Sequence, residues 1–193
     1  MDINKAIRKQ EKSHKRFLFF LGFIFFVLPV ILFLSKRFSI FFLLYLSIIE
    51  LLILGSIVVS MNNNFIKYTV DGYKLKLKFR RFGEELNIIC DKIALVHVEG
   101  SGQDMSIILL TTSRFRSKAI SEVNETFLRK YSYLSHHYYR IKKLNPEVNY
   151  FYIVVTKGYY HKYRLLDMIY RSCVKAYYTE ETVEKIKEYR KYQ

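Results

Sequence analysis

A run of alternating cations is the first feature that could do chemistry. Tyr73-Lys74-Leu75-Lys76-Leu77-Lys78-Phe79-Arg80 is followed directly by Arg81. In an extended chain, alternate side chains share a face. Lys74, Lys76, Lys78 and Arg80 therefore line one side, with Arg81 at its end, and Tyr73, Leu75, Leu77 and Phe79 are expected to point inward. Like charges on one strand face repel and add nothing to folding. Such a face is either a solvated surface kept soluble by lysines or a contact for anions such as phosphate headgroups. Arg114, Arg116 and Lys118 form a second, smaller cluster. Glu50 offers different chemistry, because it interrupts an otherwise apolar stretch with Ser47 three residues earlier on the same helical face. A charged side chain at the centre of a bilayer costs about 2.5–3.5 kcal/mol, so Glu50 must be neutral, paired or turned toward another helix. Three readings stay open for it: a hydrogen-bonded structural role, a contact in a homo-oligomer, and an ion path.

The remaining reactive side chains form no recognisable constellation. His14, His97, His136, His137 and His161 make no metal-binding spacing. His97 falls in an apolar run near Glu99 and reads as a structural histidine, whereas His136 and His137 read as pH-sensitive surface groups on a helix. Asp71, Asp91, Asp104 and Asp167 are scattered. Cys90 and Cys173 form no CxxC pair and read as buried free thiols in a reducing compartment. None of the seven glycines builds a GxSxG, a P-loop or a GxGxxG. Neither a catalytic residue nor a cofactor nor a metal is expected, and the chain reads as non-enzymatic. The net charge of +15 raises nucleic acid as a partner. No helix-turn-helix, zinc-finger or RNP-like pattern accompanies it, so nucleic acid is not expected, and anionic lipid headgroups and a protein partner are.

Two apolar blocks, Phe17 to Leu34 and Phe38 to Ser60, dictate where these groups can sit. Only Ser35, Lys36 and Arg37 separate them. At 1.5 Å per residue the first block covers about 27 Å, close to a hydrocarbon core of about 30 Å. The second is longer and tolerates tilt. A signal peptide fits poorly, because the first block is too long and no A-x-A-like site follows. Six cations lie in 1–16, and 24 Lys and Arg against 14 Asp and Glu follow residue 60. By the positive-inside rule both termini are expected in the cytoplasm of a bacterial inner membrane. Residues 1–16 read as a solvated basic lead-in in which Ile3 and Ile7 share a face. Pro29 is expected to kink or loosen the first span.

After Ser60 the composition changes, and Met61-Asn62-Asn63-Asn64 reads as a polar exit. Five short strands are expected in an antiparallel meander: Phe65–Val70, Tyr73–Arg80, Glu85–Cys90, Ile93–Glu99 and Ser106–Thr112, with Asp71-Gly72 as a hairpin turn. Ile120, Val123, Phe127, Tyr131, Leu134, Tyr138, Ile141 and Leu144 then follow a helical period over about 25 residues, ended by Asn145-Pro146. Tyr150–Thr156 reads as a strand, and Leu165, Ile169, Cys173 and Tyr177 as a second helix. Thr179 opens a last helix charged nearly all round. Fourteen of the 17 tyrosines lie at or beyond Tyr131, in the rim of this helical region. The fold class is α+β: a lead-in (1–16), two helices (17–34 and 38–60), and a cytosolic domain (61–193).

Tyr68-Thr69-Val70-Asp71-Gly72, the basic strand that follows, and Ile88 to Val98 with Lys92-Ile93 and Val96 resemble bacterial pleckstrin-homology-like (PH-like) domains. The resemblance covers about residues 65–112. It implies a barrel-like sheet closed by a C-terminal helix, with Ser117–Leu144 as an insertion, and a headgroup-facing surface near the first hairpin. The expected role is a membrane-anchored adaptor or scaffold. Two rivals are an effector whose β-domain binds a small anionic ligand such as a cyclic nucleotide while its spans oligomerise, and a small subunit of a translocation or conjugation machine.

Overall fold

The computed structural model describes residues 2–36, 39–79, 81, 83–115, 117 and 119–191. The chain begins with one long helix, α1 (Ile3–Leu34). Asp2 caps it by accepting the Lys5 amide at 3.0 Å. The residues expected to be a solvated lead-in are thus the first turns of the same helix that carries the first apolar block. They are not solvated throughout, because Ile3 and Ile7 are fully buried. The helix also runs unbroken through Pro29 to Leu34. The second helix, α2 (Ile40–Asn64), is capped by Ser39 and carries its helical turns through the asparagine run that had read as an exit.

The two helices pack as an antiparallel hairpin. The less exposed positions along α1 include Ile3, Ile7, Gln10, His14, Leu18, Leu21, Phe25, Leu28 and Leu32. They recur every three or four residues, which places them on one stripe. The matching stripe on α2 runs through Leu46, Ile49, Ile53, Ile57, Ser60 and Asn64. Elsewhere the apolar blocks are bare: Phe19, Phe26, Phe33, Ile40, Leu51 and Leu52 are all exposed. Both helices are long and apolar enough to cross a membrane, and hardly any of their apolar length is covered by the rest of the protein. A helix from a soluble core would be buried along that length.

The chain then builds two sheets. The first is the meander β1 (Lys67–Asp71), β2 (Lys74–Lys78) and β3 (Leu86–Ile89). Gly72, at φ +58°, supplies the left-handed backbone of the β1–β2 turn. Leu75, Leu77, Leu86 and Ile88 face inward and are buried. Tyr73, expected to point inward, lies in the turn and is exposed.

The second sheet contains β4 (Ile93–Glu99), β5 (Ser106–Thr111), β6 (Ser121–Glu122), β7 (Phe151–Val155) and β8 (Tyr177–Tyr178), in the order β6-β7-β5-β4-β8. The expected five-stranded meander is therefore divided after its third strand by a short 3-10 turn, Cys90–Lys92. The physical reason lies in β4 and β5. Their apolar runs demand cover on both faces, and β5 gains a second neighbour, β7, from 40 residues further on. Val96, Val98, Ile107, Leu109, Ile153 and Val155 face a large core shared with the first sheet, with α5 (His161–Ser172) and α6 (Glu180–Arg190), and with Ile3 and Ile7 of α1. Leu95, Ile108 and Leu110 face the other way, onto α3 (Glu125–Lys130) and α4 (Ser132–Leu144).

Three helical expectations shift. The continuous helix over 120–144 is two helices, starting after the cap Asn124 and broken at Tyr131. Helix α5 stops at Ser172, and Tyr177 belongs to β8, which pairs in parallel with β4. Helix α6 is not charged all round, since Thr182, Ile186 and Tyr189 form a buried stripe.

Candidate functional site

The hairpin and the sheets meet in a layer of polar side chains at one level of α1 and α2. The backbone N–H of Tyr160 donates to Gln10 Oε1 at 3.1 Å. This fixes the orientation of the Gln10 amide, whose Nε2 then donates to Asn64 Oδ1 at 3.0 Å. Asn64 Nδ2 is left to donate to His14 Nδ1 at 3.0 Å. The Ser60 hydroxyl reaches the same nitrogen at 3.2 Å. Because an amide NH₂ only donates, His14 Nδ1 must accept, and the ring carries its proton on Nε2. The chain of bonds thus runs from a loop of the folded body, through α1, to α2 and back to α1.

Further contacts tighten the same level. Gly158 N–H donates to Asn63 O at 2.9 Å. Gly158 has φ +95°, and a Cβ there would lie 2.6 Å from Ile66 Cγ2, so only glycine permits this approach. His161 Nε2 lies 3.5 Å from Glu11 Oε1. Burial pushes His161 below its ordinary pKa, and Glu11 opposes that shift. The Arg81 amide donates to Asn62 Oδ1 at 3.4 Å. A cleft of about 200 Å³ lies among Gln10, Glu11, His14, Asn64, Arg81 and His161.

The cations of the first sheet can now be placed against this layer. Arg81 adjoins it, while Lys78 is directly opposite Lys67, three residues beyond the end of α2. Lys67 was missed in the sequence because it lies outside the alternating run. At the far end of the strand pair, Lys74 is opposite Asp71, and Lys76 Nζ is 2.9 Å from Asp71 Oδ2. The basic face is therefore graded: Lys78, Arg81 and Lys67 cluster at the hairpin end, and the Asp71 carboxylate offsets the distal lysines. Arg80 lies outside the described residues, as do Arg116 and Lys118; Arg114 is exposed. On α1, Lys12 is exposed at the level of the polar layer, and Lys15 and Arg16 are exposed between that layer and the apolar block.

Ser47 and Glu50, the polar pair expected on one face of α2, share no hydrogen bond. Ser47 Oγ donates to Leu43 O of its own helix at 3.0 Å. Glu50 is half-buried.

Other polar groups of the folded body serve its architecture. His97 is buried, with Nδ1 3.0 Å from Thr179 Oγ1. Thr179 Oγ1 lies 3.0 Å from Thr182 Oγ1, which donates to Val96 O at 3.2 Å. A carbonyl only accepts, so the relay reads back to a proton on His97 Nδ1. His97 is thus a buried histidine satisfied by Thr179, as its reading as a structural histidine requires. Burial lowers its pKa; Glu181 raises it and His137 lowers it further. Asp167 is held by Arg190 at 2.6 Å and Arg171 at 2.7 Å, which clamps α5 to α6. Asp91 pairs with Lys175 at 2.9 Å.

Cys90 and Cys173 are free and buried. They lie beside each other, and burial together with Cys90 pushes the Cys173 thiol up, which disfavours the reactive thiolate. Lys162 is fully buried. Its amine donates to Thr156 O at 2.8 Å and Gln103 O at 2.9 Å, and burial pulls it down to about 8. Nearby, a cavity of about 440 Å³ is walled by Ile3, Gly102, Asp104, Tyr160, Tyr163 and Glu188. Among the described residues no group of three or more His, Cys, Asp or Glu could hold a metal ion.

No protein-family model, curated protein or solved structure matches the chain.

Proposed function

We propose that the chain is a two-span protein of the bacterial cytoplasmic membrane with both termini in the cytoplasm, and that it acts as a non-catalytic adaptor or scaffold. The observation that carries this reading is the burial of Ile3 and Ile7 on the helix that also bears the first apolar block. The cytosolic body and the span share one backbone helix, so the body is held in a fixed orientation rather than tethered on a linker. From Gln10 to Phe17 that helix rises about 10 Å, which sets the polar layer just below the headgroups of a membrane entered at Phe17.

That orientation brings Lys12, Lys15, Arg16, Lys67, Lys78 and Arg81 to the headgroup level. Each basic side chain near an anionic surface contributes about 1 kcal/mol of attraction. The PH-like comparison is supported by a three-stranded meander packed on a second sheet and closed by the C-terminal helices. The α3–α4 pair and the parallel β8 are additions to that plan. Exposed Tyr133, Tyr139 and Leu144 on the outer side of α4 offer the aromatic face for a protein partner.

The test places the full chain in nanodiscs of zwitterionic lipid and of lipid with an anionic fraction. Amine-reactive labelling of Lys67 and Lys78 is then read at low and high salt. Both lysines should be shielded in anionic discs and regain their reactivity as salt screens the contact. Equal labelling in the two kinds of disc would reject the headgroup surface.

A further inference from the structure

The hairpin leaves its one carboxyl between Phe17 and Ser60 without a solution of its own. Between Phe17 and Leu34, α1 carries no side chain able to hydrogen bond. The register that sets His14 beside Ser60 and Gln10 beside Asn64 places Glu50 level with Ile24. That is about 10–15 Å inside a hydrocarbon core of about 30 Å, too deep for a glutamate side chain to reach the headgroups. Ser47 and Ser56 satisfy themselves by donating to Leu43 O at 3.0 Å and Leu52 O at 2.8 Å. The Glu50 carboxyl has no hydrogen-bond or ionic partner among the described residues. It stands at the flank of the α2 stripe that meets α1, beside Leu46, Ile53 and Ile57, and is half-buried there.

We propose that the hairpin forms a two-fold dimer in the membrane in which the Glu50 carboxyls of two copies hydrogen bond to each other. The proposal rests on the two-span reading above. A second copy is the occupant because, among the described residues, the serines nearest that depth already donate to their own helix, Tyr45 lies about 7 Å nearer the tip, and lipid tails have neither donor nor acceptor. Two-fold symmetry brings the same residue to both sides of the axis, so a single carboxyl per chain suffices to make the pair. In the membrane interior such polar contacts hold helices together where apolar packing gives no preference over lipid.

The test uses the full chain labelled with donor and acceptor fluorophores in phospholipid vesicles, with energy transfer read as the protein-to-lipid ratio is varied. Wild type should associate, and Glu50→Leu should weaken association by about tenfold. Glu50→Gln should retain it, because its amide still donates and accepts. Leu51→Ala, on an exposed neighbour, should leave it unchanged. Association of Glu50→Leu equal to wild type, loss in Glu50→Gln as complete as in Glu50→Leu, or a wild type that stays monomeric at every ratio would each overturn the dimer. Retention of the chain in vesicles after an alkaline wash separates the two claims. A chain that washes off refutes the two-span reading, and one that stays while failing the energy-transfer test refutes the Glu50 contact alone.

Discussion

Along α1, residues 3–14 and 17–34 keep the same spacing of inward positions, yet their surroundings are opposite. The first stretch is gripped by the folded body: Ile3 and Ile7 enter its core, and Gln10 and His14 enter a directed hydrogen-bond chain. The second touches α2 on one side and leaves phenylalanines bare on the others. One helix therefore serves two environments, and the change between them occurs within three exposed residues that include Lys15 and Arg16. A helix that ended at a flexible joint would let the body move independently of the hairpin. A continuous one transmits orientation, and torque, between them.

Substitutions that treat the two halves alike should therefore give unlike results. The largest effect is expected from Ile7→Ala, which empties a fully buried site in the core. It should cost the folded body about 2–4 kcal/mol, whereas Phe19→Ala on the bare surface should leave the body's stability unchanged. Amide exchange of β4 and β5 in the full chain reads both. Next comes Gly158→Ala, which forces a Cβ against Ile66 at a positive φ. A loss of about 1–3 kcal/mol is expected, read as faster exchange at the ends of α2 and β7. Gln10→Ala leaves the Tyr160 N–H and Asn64 Oδ1 without partners and should cost about 1–2 kcal/mol. It should loosen the body relative to the hairpin without unfolding either, which a comparison of local with global exchange separates.

Acidification sharpens the contrast further, because the body contains the buried His97 and the half-buried His161, whereas residues 17–34 contain no histidine. Burial depresses both His97 and His161. The unfolded chain, with histidine near pH 6.5, takes up protons before the folded one does. Stability is thus complete above about pH 6.5 and falls as the pH drops below it toward the folded values. His97→Asn keeps a donor for Thr179 without a titrating ring and should flatten the slope of stability between neutral and mildly acidic pH. An unchanged slope would remove His97 from this account. The smallest effect on the body itself is expected from Lys78→Glu with Arg81→Glu. Their stability should be nearly that of wild type, while salt-sensitive shielding of Lys67 on anionic discs is lost.

The contrast also explains what could be read from the sequence. The apolar blocks were legible because Glu50 is the one charge within them, and β2 because Leu75 and Leu77 alternate with lysines. Phe127, Leu134 and Ile141 marked the helical region, although not its break at Tyr131. Ile3 and Ile7 were not legible as core, since two isoleucines among lysines look the same on a solvated flank as on a docked one. Their partners come from strands more than 60 residues away. The Gln10–His14 layer was hidden for the same reason, joining Asn64 and Tyr160 across long separations in sequence. Lys162 gave no sign of burial, because the Gln103 and Thr156 carbonyls that receive it are backbone groups that any residue supplies. Glu50 was legible as an anomaly, and the structure adds that its own hairpin offers it nothing.

The continuity of α1 is tested most directly by a distance measured across it. Spin labels at Phe23, on the bare side of the hairpin, and at Val174, on the exposed surface of the folded body, would be read by pulsed electron resonance with the full chain in nanodiscs. One narrow distance distribution is expected, broadening when Ile3 and Ile7 are both replaced by alanine. A distribution already broad in the otherwise unaltered chain would show that the body swings on the membrane, and would contradict the shared helix on which the proposed function depends.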